Sequence, residues 1–190
     1  MIVGLLLAAG GGTRFGSQKL LARARGAPIV ATAARTLAPL VDRLIVVVGS
    51  DARAVTDALA GIDATLVENP RWADGLSTSL QLGVGAAPKE TKAVIVALGD
   101  QPGIDPVVVR RVIARWRETG RPIVSTRYRG NRGHPVLLGC SVFDEVGAIS
   151  GDVGARSLME RDATRVAFVD VDGDAPPDVD TPDDLAALDA

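Results

Sequence analysis

Two cations, Arg14 and Lys19, flank a glycine-rich stretch that begins Gly10-Gly11-Gly12, and two carboxylates, Asp100 and Asp180, stand beside the ends of apolar or helical elements far along the chain. Glycines let the backbone take positive φ and approach a ligand closely. A backbone cradle with cations at its rim is a way to hold a polyphosphate. Carboxylates at element ends suit Mg²⁺, which takes one or two of them and fills its remaining positions with phosphate oxygens and water. Asp100 reads equally as a turn residue in Gly99-Asp100-Gln101-Pro102. Charge complementing a helix dipole accounts for Asp183 and Asp184 better than for Asp180, which precedes the helix cap.

The glycine stretch matches neither common nucleotide motif. From Gly10 the dinucleotide pattern requires glycine where Phe15 stands, and from Gly11 the P-loop pattern requires lysine where Ser17 stands. The apolar start, Met1–Ala9, has no basic flank and runs straight into the glycines, so no signal peptide is expected. His134 is the only histidine and lies in an arginine-rich loop with Arg127, Arg129 and Arg132, a place to meet a phosphate on a second substrate. It is expected near that acceptor rather than as a general base. Trp72, Trp116 and the lone Cys140 read as packing residues.

The elements that must position these groups follow from periodicity. All-apolar runs at Ile2–Leu7, Leu44–Val48 and Ala93–Leu98, with shorter ones at Ala64–Glu68 and Val166–Val171, read as buried strands. Helices are expected over Pro28–Leu37, Ala52–Leu59 (capped by Ser50), from Gly75 onward (capped by Ser77 or Thr78), Pro106–Glu118 and Thr181–Leu188. Short ones are expected at Val142–Val146 and Val153–Arg161. In the helix at 106–118, Val107, Ile113 and Trp116 are inward candidates, and Arg110, Arg111, Arg115 and Arg117 form the wet face. Strands apolar on both faces, alternating with helices, make a parallel sheet covered on both sides. Pro122–Tyr128 and Pro135–Leu138 read as strands around a polar connection, Arg129–His134, and add an antiparallel element to the second half. One domain is expected over 1–190, with a regular βαβ half (1–104) and a second half (105–190). In such sheets ligands bind at the carboxyl ends of the strands, which would place the Gly10–Lys19 loop and Asp100 on one edge.

Bulk composition narrows the class. The chain has 190 residues, 47% hydrophobic but only 3% aromatic, with a net charge of −2. Such a balance gives no global pull towards nucleic acid, and no apolar run reaches membrane-spanning length. One cysteine excludes an intramolecular disulfide and a Cys-cluster metal site, and a reducing cytoplasm is expected. The charge is uneven: residues 105–133 hold eight arginines, while residues 162–190 hold nine aspartates. That asymmetry suits an anionic ligand on one side and a metal on the other.

Six motifs together carry a resemblance. They are Leu7-Ala-Ala-Gly-x-x-x-Arg14-Phe-Gly16-x-x-Lys19; Asn69-Pro-x-Trp72-x-x-Gly75-Leu-Ser77-x-Ser79; Gly99-Asp100-Gln-Pro102; Gly133-His134-Pro135; Gly151-Asp152-x-Gly154-Ala-Arg156; and Asp178-Val-Asp180-Thr-Pro-Asp-Asp-Leu185. Over nearly its whole length the chain resembles the MobA-like nucleotidyltransferases, and within them the molybdenum cofactor cytidylyltransferases. The resemblance implies a three-layer αβα Rossmann-like nucleotidyltransferase fold with a mostly parallel sheet. It implies NTP binding by Leu7, Ala8, Ala9, Gly10, Gly11, Gly12, Arg14, Lys19, Gly75, Ser77 and Ser79, with Arg14, Lys19 and Asp100 catalytic and Mg²⁺ held by Asp100 and Asp180. It places the acceptor near His134, Asp152 and Arg156, with 1–104 as the NTP-binding half. Ala8-Ala9 leans towards CTP, since relatives that use GTP tend to carry Leu-Ala-Gly-Gly. The implied reaction is attack by the phosphate of molybdenum-bearing molybdopterin on the α-phosphorus, with release of pyrophosphate. A client molybdoenzyme is an implied partner; NTP transfer to a sugar or polyol phosphate, or a GTP-using cofactor guanylyltransferase, is one alternative, and a non-catalytic cofactor-binding chaperone is the alternative of another class.

Overall fold

The computed structural model describes residues 1–12, 15 and 18–189. Arg14 and Gly16, both called on above, lie outside the described residues. The sheet is built around β1 (Ile2–Ala8), every residue of which is buried. β4 (Arg43–Val48) and β6 (Ala93–Leu98) pair with it in parallel on either side, placing Leu7 opposite both Val47 and Leu98. β5 (Thr65–Glu68) completes that edge, and the full order is β5-β4-β1-β6-β8-β7-β9.

The doubly apolar strands serve two cores. Leu6, Ala8, Val46, Val48, Ile95 and Ala97 meet α1 (Ile29–Leu37), α2 (Ala52–Ala58) and α4 (Pro106–Thr119). Val3, Leu5, Leu7, Val47, Val94 and Val96 meet α3 (Leu76–Gly85), α5 (Phe143–Val146) and α6 (Arg156–Arg161). Period-two alternation thus sends successive side chains into opposite helical layers, and the expected three-layer αβα fold is what results. α3 rides close over β1, because a Cβ on Gly83 would stand only 2.2 Å from the Leu5 Cδ1.

The second half turns one strand around. β7 (Ile123–Tyr128) and β9 (Val166–Val171) run parallel to each other, while β8 (Asn131–Gly139) runs antiparallel to both β7 and β6. The expected polar connection over 129–134 is mostly strand. Only Arg129 and Gly130 turn the chain, at φ 47° and 85°, between the paired residues Tyr128 and Asn131. Positive φ at both central residues is what a tight hairpin turn requires, and the Arg129-Gly130 pair supplies it without the usual Asn or Asp.

Several local expectations were displaced by tertiary contacts. The residue before α2 is Asp51, in left-handed conformation, not Ser50. Neither Ser77 nor Thr78 caps α3: Gly75 precedes it, and its first free amide, Leu76 N, donates to Asp152 Oδ1 at 3.1 Å. In α4, Asp105 caps the helix by accepting from Val107 N at 2.7 Å, and Val108, Val109, Val112 and Ile113 are the buried positions. Val107 is left 58% exposed, against expectation. The helix expected from Val153 starts only at Arg156, after Gly154 at positive φ. A small hairpin of β2 (Arg23–Ala24) and β3 (Ala27–Pro28) was not foreseen. The start of α7 (Pro182–Asp189) follows expectation: Asp184 Oδ2 accepts from Thr181 N at 2.8 Å, and Thr181 Oγ1 accepts from Asp184 N at 3.2 Å.

The two glycines near the end of α3 should respond oppositely to alanine. Gly83→Ala has no room against Leu5 and should lose about 1–3 kcal/mol. Gly85→Ala faces open space and should gain about 0.5–1 kcal/mol. Urea unfolding midpoints of the two variants check both signs.

Candidate active site

The loop after β1 is held from several directions. Ala9 O accepts from Ser50 N at 3.0 Å, beyond the end of β4. A Cβ on Gly49 would lie 2.8 Å from the Ala9 Cβ, and one on Gly11 would lie 2.9 Å from the Trp72 ring. Both positions therefore exclude any larger residue. Trp72, expected only to pack, braces the loop and remains 37% exposed beside it. Ala8 and Ala9 are buried while Gly10 is exposed, so of this trio only the glycine offers itself to a ligand.

Gln18 then fixes the root of Lys19. Its amide donates to Ser50 O at 2.8 Å, and its Oε1 accepts from Leu20 N, starting the single 3₁₀ turn Lys19–Leu21. From that turn Lys19 Nζ donates to Asp100 Oδ2 and to Asp180 Oδ1, both at 2.6 Å. Residues separated by 81 and 161 positions thus meet on one nitrogen. Asp100 is delivered by β6, whose ladder with β1 continues through Gly99 N to Leu7 O at 2.9 Å. Asp180 is delivered by the segment before α7. There Val179 N donates to Asp100 O at 3.1 Å, and the fully buried Val179 packs on Ala24 and Ile29. Gln101 Nε2 donates to Asp178 Oδ1 at 2.8 Å and secures the same segment. The hairpin that the sequence did not reveal is therefore part of the wall that holds Asp180.

Electrostatics keep Lys19 charged. Burial pulls its pKa down, but hydrogen bonds and charge from Asp100 and Asp180 outweigh that and leave it above the ordinary lysine value. Burial raises Asp178, and the negative charges of Asp100 and Asp180 push it further in the same direction. Two carboxylates converging on one cationic centre form an oxygen-only donor set that fits Mg²⁺ or Mn²⁺. No cluster of three metal-ligating side chains occurs among the described residues, so substrate oxygens and water would complete a shell. The side-chain amide oxygen of Gln101, the residue after Asp100, is buried and finds no hydrogen-bond partner among the described residues.

His134 reaches the same edge through the reversed direction of β8. Between Ser125 and Thr126 the register slips, so that Ser125 faces Val136 but Thr126 faces Gly133, and His134 and Pro135 bulge out of the ladder. Thr126 Oγ1 donates to Gly133 O at 2.7 Å, and Tyr128 Oη donates to His134 O at 2.9 Å, so the bulge is fixed on both sides. Part of the residue's surface reaches solvent. Burial of the ring nevertheless pushes its pKa down to about 4, with the Asp100 carboxylate pulling weakly the other way. His134 is therefore neutral at pH 7 and a poor base.

The remaining motif residues lie on the α3 side. Ser77 and Ser79 are buried, and Asn69 Nδ2 donates to both Thr78 Oγ1 and Ser79 Oγ at 2.9 Å, tying the Asn69-Pro70 turn to α3. Asp152 and Gly75 meet at the start of α3, where a Cβ on Gly75 would stand 2.8 Å from Asp152 Oδ1. Asp152 is thus occupied as a helix cap, and Arg156 forms an exposed ion pair with Glu160 at 2.8 Å. Among the described residues, these contacts of Asp152 and Arg156 do not reach the Lys19 cluster. Of the three arginines placed near an acceptor, Arg127 is held bidentately by Asp170 at 2.8 and 2.9 Å, and Arg129 pairs with Asp174 at 3.2 Å. Arg132 lies over the Phe168 ring at 5.9 Å. Gln18 and Gln101 were missed, although each sits next to a residue that was singled out.

A three-layer sheet whose central strands end in a glycine loop and a lysine-bridged carboxylate pair defines an α/β protein built to handle phosphates at one sheet edge. The chain belongs to the MobA-like NTP transferase family, whose domain profile matches residues 4–166. Nicotine blue oxidoreductase of Paenarthrobacter nicotinovorans is 34% identical over 199 residues, covering 98% of this chain and 96% of that protein. The molybdenum cofactor cytidylyltransferase of Escherichia coli is 25% identical over 135 residues, 70% of this chain and 68% of that one. Rv0371c of Mycobacterium tuberculosis superposes with a TM-score of 0.86 at 31% identity, over 98% of this chain and 96% of that one. The same protein in complex with manganese gives 0.82. The family expectation holds. The narrower resemblance to the cytidylyltransferase branch does not have the higher identity, which falls to the oxidoreductase.

The single histidine makes its titration directly readable. Its folded pKa lies below the ordinary 6.5, so the unfolded chain binds the proton more readily between the two values. The stability it contributes is complete above pH 6.5 and is lost as pH falls towards 4. An imidazole NMR titration should show a midpoint near 4. His134→Gln should flatten the acid limb of stability over that window. A midpoint near 6.5 would contradict the burial argument.

Proposed function

We propose that this chain transfers a nucleotidyl group from an NTP to a phosphorylated acceptor, and that the NTP is CTP and the acceptor the phosphate of molybdenum-bearing molybdopterin. The observation that carries the reaction class is the meeting of Lys19, Asp100 and Asp180 beside the glycine loop. In the reaction an acceptor phosphate oxygen forms a bond to the α-phosphorus while the bond from that phosphorus to the bridging oxygen of the β-phosphate breaks. Pyrophosphate leaves with the electron pair. A divalent ion held by Asp100 and Asp180 supplies charge neutralisation to the reacting phosphate oxygens when bound. The Gly10–Gly12 backbone holds the polyphosphate, and Lys19, with Arg14 from the same motif, balances charge gathering on the leaving pyrophosphate. No strong base is needed, because a phosphate monoester is already largely ionised near neutral pH. A neutral His134 is consistent with that and offers a hydrogen bond rather than a proton sink.

The choice of CTP rests on Ala8-Ala9. Both side chains are packed inward, so a preference they cause acts through the spacing of the loop over Gly49 rather than by touching the base. A second reading is favoured by the 34% identity to nicotine blue oxidoreductase. In that reading the same edge binds nicotine blue or a related dye together with an electron donor, for which NADH serves as the probe.

The two readings separate in one set of assays. Pyrophosphate release should occur with Mg²⁺, CTP and the pterin cofactor, and oxidation of NADH by an oxidised dye should not. Product from GTP but not CTP overturns the base assignment. Turnover of sugar or polyol phosphates without the pterin overturns the acceptor. Dye-dependent NADH oxidation without nucleotidyl transfer establishes the second reading. Asp100→Asn and Lys19→Gln should each lower kcat by ~10²-fold or more with unchanged far-UV circular dichroism. Cofactor binding and client activation that survive Asp100→Ala would instead mark a chaperone.

A further inference from the structure

We propose that the outer edge of β9 docks a short, extended, acidic segment of a partner protein, which adds to the sheet as a further strand. In the sheet order β6, β8 and β7 separate this edge from β1, and the inference is independent of the reaction proposed above.

The backbone of β9 is open on one side. It is the last strand of the sheet and pairs only with β7. Arg129 N donates to Val171 O, so Val171 turns its backbone groups towards β7. Alternation then turns Val166, Phe168 and Asp170 outward. Some outward groups are already taken. Val166 N donates to Ala163 O, Arg121 Nη1 donates to Thr164 O, and Arg111 Nη2 donates to Asp170 O at 2.7 Å. Between these points Val166 C=O, both backbone groups of Phe168, and Asp170 N–H have no partner among the described residues. Such a run is a template for another strand. An arginine closes it at each end.

Charge selects the occupant. The arginine-rich segment at 105–133 supplies α4 and β7, the two elements packed against β9. Arg111, Arg115, Arg121, Arg127 and Arg132 surround the edge, against Glu118, Asp162 and Asp170. Asp170 is committed to Arg127, Glu118 to Arg115 and Asp162 to Thr164. Arg111 and Arg121 have no salt-bridged carboxylate among the described residues and hold backbone carbonyls instead. A groove of ≈ 370 Å³ at the α4 side is lined by Arg111, Ala114, Arg115, Phe168 and Asp170. On the opposite face the Phe168 ring lies 4.1 Å from the Arg127 guanidinium and offers apolar surface. Side chains of an added strand alternate between the two faces. Acidic residues towards α4 and apolar residues towards Phe168 therefore match this edge. A second copy of this chain, paired edge to edge by a two-fold axis, would set the same arginines against one another. Like charges facing across a ladder are destabilising.

The test uses the whole chain and a short capped peptide of alternating glutamate and valine. Amide hydrogen exchange, resolved by residue with NMR, reads the edge in the wild type. Without peptide, the Phe168 and Asp170 amides should exchange freely while those of Ala167, Val169 and Val171 are protected. Saturating peptide should slow exchange at Phe168 and Asp170 by at least about tenfold. Anisotropy of the labelled peptide should show affinity falling at least about tenfold when lysine replaces glutamate, and likewise in Arg111→Glu/Arg121→Glu. N-methylation of the peptide's backbone amides should abolish binding with its charge unchanged. No binding, or binding that leaves the Phe168 and Asp170 amides unprotected, overturns the inference. Undiminished binding of the N-methylated peptide overturns strand addition in favour of charge alone. Protection of those two amides in the free protein, growing with its concentration, marks a second copy as the occupant and overturns the acidic partner.

Discussion

A single ammonium shared by two carboxylates is a demanding arrangement, because a lysine side chain left only 12% exposed must keep its charge next to carboxylates that stay partly in water. Lys19, Asp100 and Asp180 meet this demand with short bonds, and much of the surrounding structure serves to keep them short. β6 brings Asp100 to the sheet edge at the level where β1 ends. The backbone bond from Val179 to Asp100 and the burial of Val179 against Ala24 and Ile29 bring Asp180 back from near the end of the chain. Gln18 anchors the lysine and Gln101 anchors Asp178. Each support is individually modest, but none is free to move without lengthening a charged bond.

Strand direction is the second constraint. In a purely parallel sheet the residues that precede a strand lie at the edge opposite the carboxyl ends. β8 is reversed, so its first residues arrive at the ligand edge instead. The slip after Ser125 then lifts His134 out of the ladder at the point where it feels the Asp100 charge. The antiparallel element is thus a means of adding chain from the second half to a site that the first half begins.

What was legible in the sequence was whatever local physics decides. Ile2–Ala8, Arg43–Val48 and Ala93–Leu98 announce themselves because strands buried on both faces need uninterrupted apolar runs. The start of α7 was readable because Thr181 and Asp184 satisfy each other within one turn. The failures share a cause as well. The amide at the start of α3 is capped from 76 residues away, so Ser77 and Thr78 were free to be buried elsewhere. The face of α4 that packs on the sheet is fixed by its tertiary neighbours, and apolar content alone could not show that Val107 would be left outside. The convergence of Asp100 and Asp180 belongs to the same class of long-range fact. Motif resemblance could suggest it, but spacing could not derive it.

This division bears on how the family varies. In the proposed reaction the cradle, Lys19 and the two carboxylates would meet phosphates, which every nucleotide presents alike, so they speak to a reaction class and not to a substrate. Discrimination among acceptors must come from groups that touch what differs. On the acceptor side many candidates are already committed: Asp152 to the cap of α3, Arg156 to Glu160, Arg127 to Asp170 and Arg129 to Asp174. A residue whose hydrogen bonds are spent inside the fold can shape a pocket, but it can recognise a ligand only by giving up a bond. His134 is placed differently, neutral and set on a bulge facing the carboxylate edge. A neutral imidazole carries one donor and one acceptor, which suits a heteroaromatic ring edge as well as a phosphate oxygen. On the proposed reading, the surface around β8 could vary with the acceptor without disturbing the loop at the end of β1.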